Sequence, residues 1–292
     1  MSTVNNKFAV LLKPGDLQSA VGRCAQYAHF EPSIEVTAIR VINEWQEEHK
    51  EDLKSHVRSE FELLKRKHPA IKNFNLKIIF DKDVAHGFAQ ECNEGNYALA
   101  VISANKRNTI KDLFISPVDS GIMKICKIPL LVVNDVNSQS VLGKTILVAA
   151  CLEENSRPES LDDKLVKAAK LFSEHFNGEV HIVNCVPPIN RGLMAGDVSL
   201  SKIAGDGMPD RVDVHHRIVE EFASKHGIDP KCTHVMVGRV DEEIPRLSTR
   251  IDARMVCMGA SPVSSFFGNL NSSTCELVLD QIRGDLFIVT PD

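Results

Sequence analysis

The sequence predicts an α/β protein built as two tandem parallel sheets, each covered by helices. Three observations predict it. Short apolar runs alternate with longer amphipathic stretches along the whole chain, the pattern of β-α-β units. Residues 98–133, ALAVISANKRNTIKDLFISPVDSGIMKICKIPLLVV, and residues 254–289, RMVCMGASPVSSFFGNLNSSTCELVLDQIRGDLFIV, align without a gap at an offset of 156, so that Ser103 stands where Gly259 stands and Ser116 where Ser272 stands. A repeat of that period is a whole domain, and 292 residues divide into two units each large enough for a core.

In order, Phe8 to Leu12 reads as a strand and Asp16 to Phe30 as a helix with apolar positions at 17, 20, 21, 24, 25 and 28. Ile34 to Ile42 alternates as a second strand. Glu44 to His68 is long, charged and periodic through Trp45, Leu53, Val57, Phe61 and Leu64, hence an amphipathic surface helix. Strand Leu76–Phe80, helix Val84–Cys92, strand Tyr97–Ile102, a helix around Gly121–Cys126 and strand Leu130–Val133 complete the half. The polar stretch Asn134 to Leu142 is the natural linker, giving domains at 1–136 and 142–292.

The second half repeats the plan with strand Thr145–Ala150, helix Ser160–Phe176, strand Val180–Val186, helix Arg211–His226, strand His234–Val237, helix Glu242–Ile251 and the strand at Met255. It closes with a helix through Leu277, Val278 and Ile282, and with strand Leu286–Val289. One insertion breaks the symmetry: residues 187–210 carry four Gly and three Pro without periodicity. The expectation is a long loop at a strand's carboxyl end, as a lid, a binding loop, a disordered segment or a spacer.

Charge and cysteines narrow the function. A net charge of -5 gives no basic face for nucleic acid or a membrane surface. No apolar run approaches the length of a membrane span, and the amino terminus has no signal-peptide pattern. The eight cysteines are dispersed, without a C-x-x-C pair, as in a reduced cytoplasmic protein. Cytoplasm is the expected location.

The stretches DLFIVTPD, THVMVGRVDEEIPRL and ISPVDSGIMKICKIPLLVV resemble the universal stress proteins in their tandem form, and among them the E type. The resemblance covers nearly the whole chain. It implies the adenine-nucleotide alpha hydrolase-like fold, with two five-stranded parallel sheets of order 3-2-1-4-5 packed as a pseudo-dimer and joined through Leu130–Val133 and Leu286–Val289. It also implies a role in the stress response, such as DNA-damage resistance, motility or adhesion.

Nucleotide-binding members carry G-x2-G-x9-G-[ST] after the fourth strand, where glycines let backbone amides approach phosphate. Here Gly259 and Ser273 keep two positions, while Pro262 and Ser272 replace the other glycines; Pro262 has no N–H to donate. In the first half Ser103, Lys106 and Ser116 replace all three. The acid that such members hold at the end of the first strand is replaced by Lys13 and Cys151. ATP is the cofactor the resemblance implies, and these losses argue against its tight binding. Lys13, Lys106 and Arg107 suit either an anion or plain solvation.

Gly143-Lys144-Thr145 lacks the first glycine of a P-loop and precedes a strand, so it is no phosphate site. The His215-His216 pair with Glu220 has metal-ligand spacing but no third ligand nearby in sequence, and a solvated helix face explains it; no metal site is expected. Cys151 is read as a structural thiol in the absence of a neighbouring base.

The reading is a regulatory, ligand-sensing protein rather than a dedicated catalyst. Its ligand is a small molecule in the C-terminal cleft, walled by Cys151, Val183, Gly259, Ser261, Ser272, Ser273 and Thr274 with the 187–210 loop. Binding would repack that loop and alter a partner surface. A homodimer is the protein partner the plan allows. The alternatives are a weak ATP-binding protein or ATPase, a metal-dependent hydrolase in the same cleft, and a purely structural partner protein with closed clefts.

Overall fold

The computed structural model describes residues 6–15, 18–104, 116–134, 145–152, 160–174, 176–186, 198–260 and 274–290, with the backbone alone over 198–211. Two compact units emerge. One comprises Met1–Leu142 with Arg283–Thr290, the other Gly143–Ile282.

In the first unit the chain runs β1 (Lys7–Leu11), α1 (Ser19–Phe30), β2 (Glu35–Ile42), α2 (Lys50–Lys67), β3 (Asn73–Phe80), α3 (Val84–Glu94), β4 (Leu99–Ser103), α4 (Pro117–Ile125) and β5 (Leu130–Val133). The strand order is β3-β2-β1-β4-β5, with every pair parallel. This is the 3-2-1-4-5 order that the resemblance implies. Strands β4 and β5 are buried along their whole length, which is why they read as unbroken apolar runs rather than alternating ones.

Capping sets the helix starts. The Asp83 carboxylate accepts from the amides of Ala85 and His86 to open α3, and the Ser116 hydroxyl accepts from the Asp119 amide to open α4. Helix α2 carries Glu51 and Asp52 in its first turn and Lys65, Arg66 and Lys67 in its last, the arrangement that complements the helix dipole. It buries only Val57 and Phe61.

The last strand, β10 (Asp285–Val289), belongs to this first unit and runs antiparallel to β5, with Leu286 opposite Val132 and Ile288 opposite Leu130. Its first residue anchors it. Asp285, 1% exposed, pairs with Arg23 of α1 at 2.7 Å and accepts from the Asn134 amide at 3.1 Å. The expected pairing of the two terminal strands is therefore present, and the parallel sheet gains an antiparallel sixth member.

In the second unit, β6 (Thr145–Ala149), α5 (Leu161–Glu174), β7 (Glu179–Val186), α6 (Val198–Lys225), β8 (Thr233–Val237), α7 (Val240–Arg250), β9 (Met255–Gly259) and α8 (Thr274–Gln281) give the parallel order β9-β6-β7-β8. The core centres on Ile146, Leu147, Leu165, Ile182, Ile244 and Leu247, each essentially inaccessible. Thr145 opens β6; a strand, not a helix, follows Gly143-Lys144.

One segment departs from expectation. The helix expected from Arg211 starts at Val198 and runs through Gly205, Gly207 and Pro209; residues 187–197 lie outside the described ones. Gly and Pro are poor helix formers, but propensity is a weak prior that tertiary anchoring overrides. The anchor is downstream, where Val219 and Ala223 are buried to 1%.

Candidate functional site

In a parallel sheet the carboxyl ends of the strands form the rim where ligands bind. At the rim of the first unit stands Lys13, two residues beyond β1. Its ammonium is buried, donating to the Ser103 carbonyl at 2.5 Å and pairing with Asp119 at 2.6 Å. Asp119 is wholly inaccessible. The Ser103 hydroxyl accepts from the Ala20 amide, and the Ser116 hydroxyl caps α4. Lys13 and Ser103, two of the residues at the expected motif positions, are thus engaged with each other, while Ser116 is taken up in capping α4. Lys13 is neither a solvated surface charge nor an exposed anion ligand; Lys106 and Arg107 lie outside the described residues.

The rim of the second unit is built differently. Cys151, the counterpart of Lys13, is exposed. The backbone turns sharply after β6, with Leu152 at φ 54, a left-handed conformation that costs energy for a branched side chain. The turn is held by Asp162 at the start of α5, whose carboxylate accepts from the Cys151 amide at 3.2 Å and the Leu152 amide at 2.9 Å.

Asn184 of β7, 3% exposed, holds the turn from the other side. Its amide nitrogen donates to the carbonyls of Ala150 and Cys151 at 2.9 and 3.0 Å. Its carbonyl oxygen lies 2.7 Å from His215 Nδ1. An amide that donates twice through nitrogen can only accept through oxygen, so His215 carries its proton on Nδ1, and Nε2 is the acceptor atom when the ring is neutral.

The other expected wall residues divide in two. Gly259 ends β9, one residue past the Ala149–Met258 pair and so level with Ala150, and Thr274 opens α8. Val183 is 1% exposed and sits in the sheet opposite Ala149, a core position. Ser261, Ser272 and Ser273 lie outside the described residues, as does the 187–197 part of the expected loop. Burial pushes the Cys185 thiol of β7 up to about 12, with Glu243 and Cys151 adding to it.

Sequence reading missed Asn184 and Asp162. Asn184 stands in an otherwise apolar run, HIVNCV, and a polar residue inside a buried strand was the signal. The paired histidines separate: His215 is tied to Asn184, while His216 and Glu220 are exposed on α6. Among the described residues no third ligand joins His216 and Glu220.

No protein-family profile matches the chain. Over 268 residues, covering 90% of the chain and 84% of the relative, it is 26% identical to the universal stress protein E homologue of Haemophilus influenzae. The chain is similar to universal stress protein E. A universal stress protein from Archaeoglobus fulgidus superposes with a TM-score of 0.67 at 15% identity, over 98% of this chain and 96% of that one. A Pseudomonas aeruginosa structure given the same family designation reaches 0.71 at 19% identity, over 99% and 94%. The fold is that of the universal stress proteins. Among the described residues no helix is long and apolar enough to cross a membrane.

Proposed function

We propose that this chain is a regulatory stress-response protein that binds one small ligand at the rim of its second unit, while the corresponding place in the first unit is structural. Similarity to universal stress protein E supports the stress-response part. The observation that carries the binding part is the asymmetry between equivalent positions. Lys13 is buried in an ion pair with Asp119, whereas Cys151 is exposed over a turn fixed by Asp162 and Asn184.

The rim of the second unit offers a polarised imidazole, a thiol and a backbone turn locked in place, features that suit recognition of a partly polar molecule. ATP is not its tight ligand in this reading, because Pro262 and Ser272 remove the amide donor and the close backbone approach that a triphosphate requires. The ligand would act by changing how the chain after β7, leading into α6, packs against the rim.

Alkylation of Cys151 tests the reading. Of the eight cysteines Cys151 alone is exposed and Cys185 is half-buried, so iodoacetamide labels Cys151 first. Small molecules released from heat-denatured protein and added back should slow that labelling at least tenfold. An unchanged rate contradicts a ligand at this rim.

A further inference from the structure

Glu179 and His181 alternate along β7, and Cys232, in the 3-10 turn leading into β8, alternates with His234. The register sets His234 beside Val183. Side chains two residues apart on a strand share a face, so E-x-H on one strand meets C-x-H on its neighbour. The meeting point is at the amino ends of the strands, away from the rim that bears Cys151.

The geometry is close. Ligand atoms of Glu179, His181 and Cys232 all lie within 4.8 Å of one another. His181 Nε2 is 3.8 Å from a Glu179 oxygen. Behind it, His181 Nδ1 is 2.9 Å from His234 Nε2, with the two rings nearly coplanar in orientation at 8°. We propose that Glu179, His181 and Cys232, positioned by His234, form a binding site for one divalent transition-metal ion of the zinc class.

Carboxylate, imidazole and thiolate are the donor set of such ions, with bonds of about 2.0–2.3 Å. The two anionic donors balance a 2+ charge, and a three-residue set leaves one position for water or a fourth ligand. Glu179 has a side chain 65% exposed, so it swings onto the ion without disturbing the core, while Cys232 is 4% exposed and fixed. The histidine contact supplies orientation. When its shared proton rides on His181 Nδ1, the Nε2 lone pair points outward, the arrangement that ligating histidines adopt.

Imidazole and thiol ligate a metal only in their deprotonated forms, so uptake of the ion releases protons to solvent. A purely structural histidine stack accounts for the 2.9 Å contact but not for a thiol and a carboxylate gathered on the same ring.

The test strips the full chain with a chelator and titrates it, reduced, with Zn²⁺ and then Co²⁺. The expected results are one Zn²⁺ per chain in native mass spectra and, with Co²⁺, a near-ultraviolet thiolate charge-transfer band. That band should vanish in Cys232→Ser and persist in Cys151→Ser. Exposed Glu179→Gln keeps the fold and should weaken Zn²⁺ at least tenfold, and His234→Ala about 10- to 100-fold. Absence of stoichiometric Zn²⁺, or binding unaltered in both Glu179→Gln and Cys232→Ser, overturns the proposal.

Discussion

Asn184 and His215 are joined at 2.7 Å, oxygen to Nδ1, and the same amide holds two carbonyls at the end of β6. One buried side chain thus shapes the turn that carries Cys151 and sets the proton of the ring beside it. Asn184→Ala leaves one buried and one partly buried carbonyl without that donor and should cost about 2 kcal/mol. His215→Ala removes one contact and should cost about 1 kcal/mol. Urea unfolding of the two single variants and the double should show a coupling of about 1 kcal/mol; strict additivity would mean that the pair does not act as a unit.

The Lys13–Asp119 pair is buried, so removing either partner leaves an uncompensated charge. Asp119→Ala should cost about 3–5 kcal/mol, whereas the double change Lys13→Met with Asp119→Leu should recover most of that loss. Equal losses in the single and the double variants would show that the ion pair has a role beyond mutual neutralisation.

Asp163 predicts acid sensitivity in the second unit. Burial opposes its ionisation, but hydrogen bonds from Lys225, Ser160 and His226 outweigh it and hold the carboxyl well below the ordinary range. The unfolded chain then binds this proton more readily than the folded one, so the stabilisation is full above the ordinary carboxylate value of about 3.9 and is lost as pH falls below it. Asp163→Asn should cost about 3 kcal/mol at neutral pH. Its stability should also fall less steeply than that of the parent between about pH 4 and pH 2. Parallel curves in denaturant melts across that range would contradict this assignment.

The Asp162 carboxylate fastens a left-handed Leu152. Asp162→Ala should lower stability by about 2 kcal/mol. Leu152→Gly, which relieves the backbone, should raise it by about 0.5–1 kcal/mol, read as opposite shifts in Tm. A loss in both variants would mean that the leucine side chain, not the turn, is what matters.

Much of the fold was legible because its signals are local. Leu130–Val133 is an unbroken apolar run and is the strand the sequence predicts, residue for residue. The amphipathic stripe through Val57 and Phe61 marks α2. The 156-residue offset exposes the duplication before any contact is known. What escaped depends on partners distant in sequence. Lys13 follows a strand and precedes Pro-Gly, so it reads as a loop charge; its burial is decided by Asp119, 106 positions away. Asn184 is explained only by a turn 33 and 34 positions earlier. Gly205, Gly207 and Pro209 read as breakers, yet the helix passes through them. The E-x-H and C-x-H pair was visible as period-two spacing, but two short strands must be placed side by side before four scattered residues become one cluster.

Native mass spectrometry of the intact chain, before and after addition of ATP with Mg²⁺, tests most directly the claim that the second unit holds a small ligand other than ATP. The account predicts one co-purifying small-molecule adduct per chain, reduced in Asn184→Ala and not displaced by ATP. Retention of ATP by the chain would restore the nucleotide site that Pro262 and Ser272 argue against. Bare polypeptide under both conditions would equally contradict the account, since no ligand would then occupy the rim around Cys151.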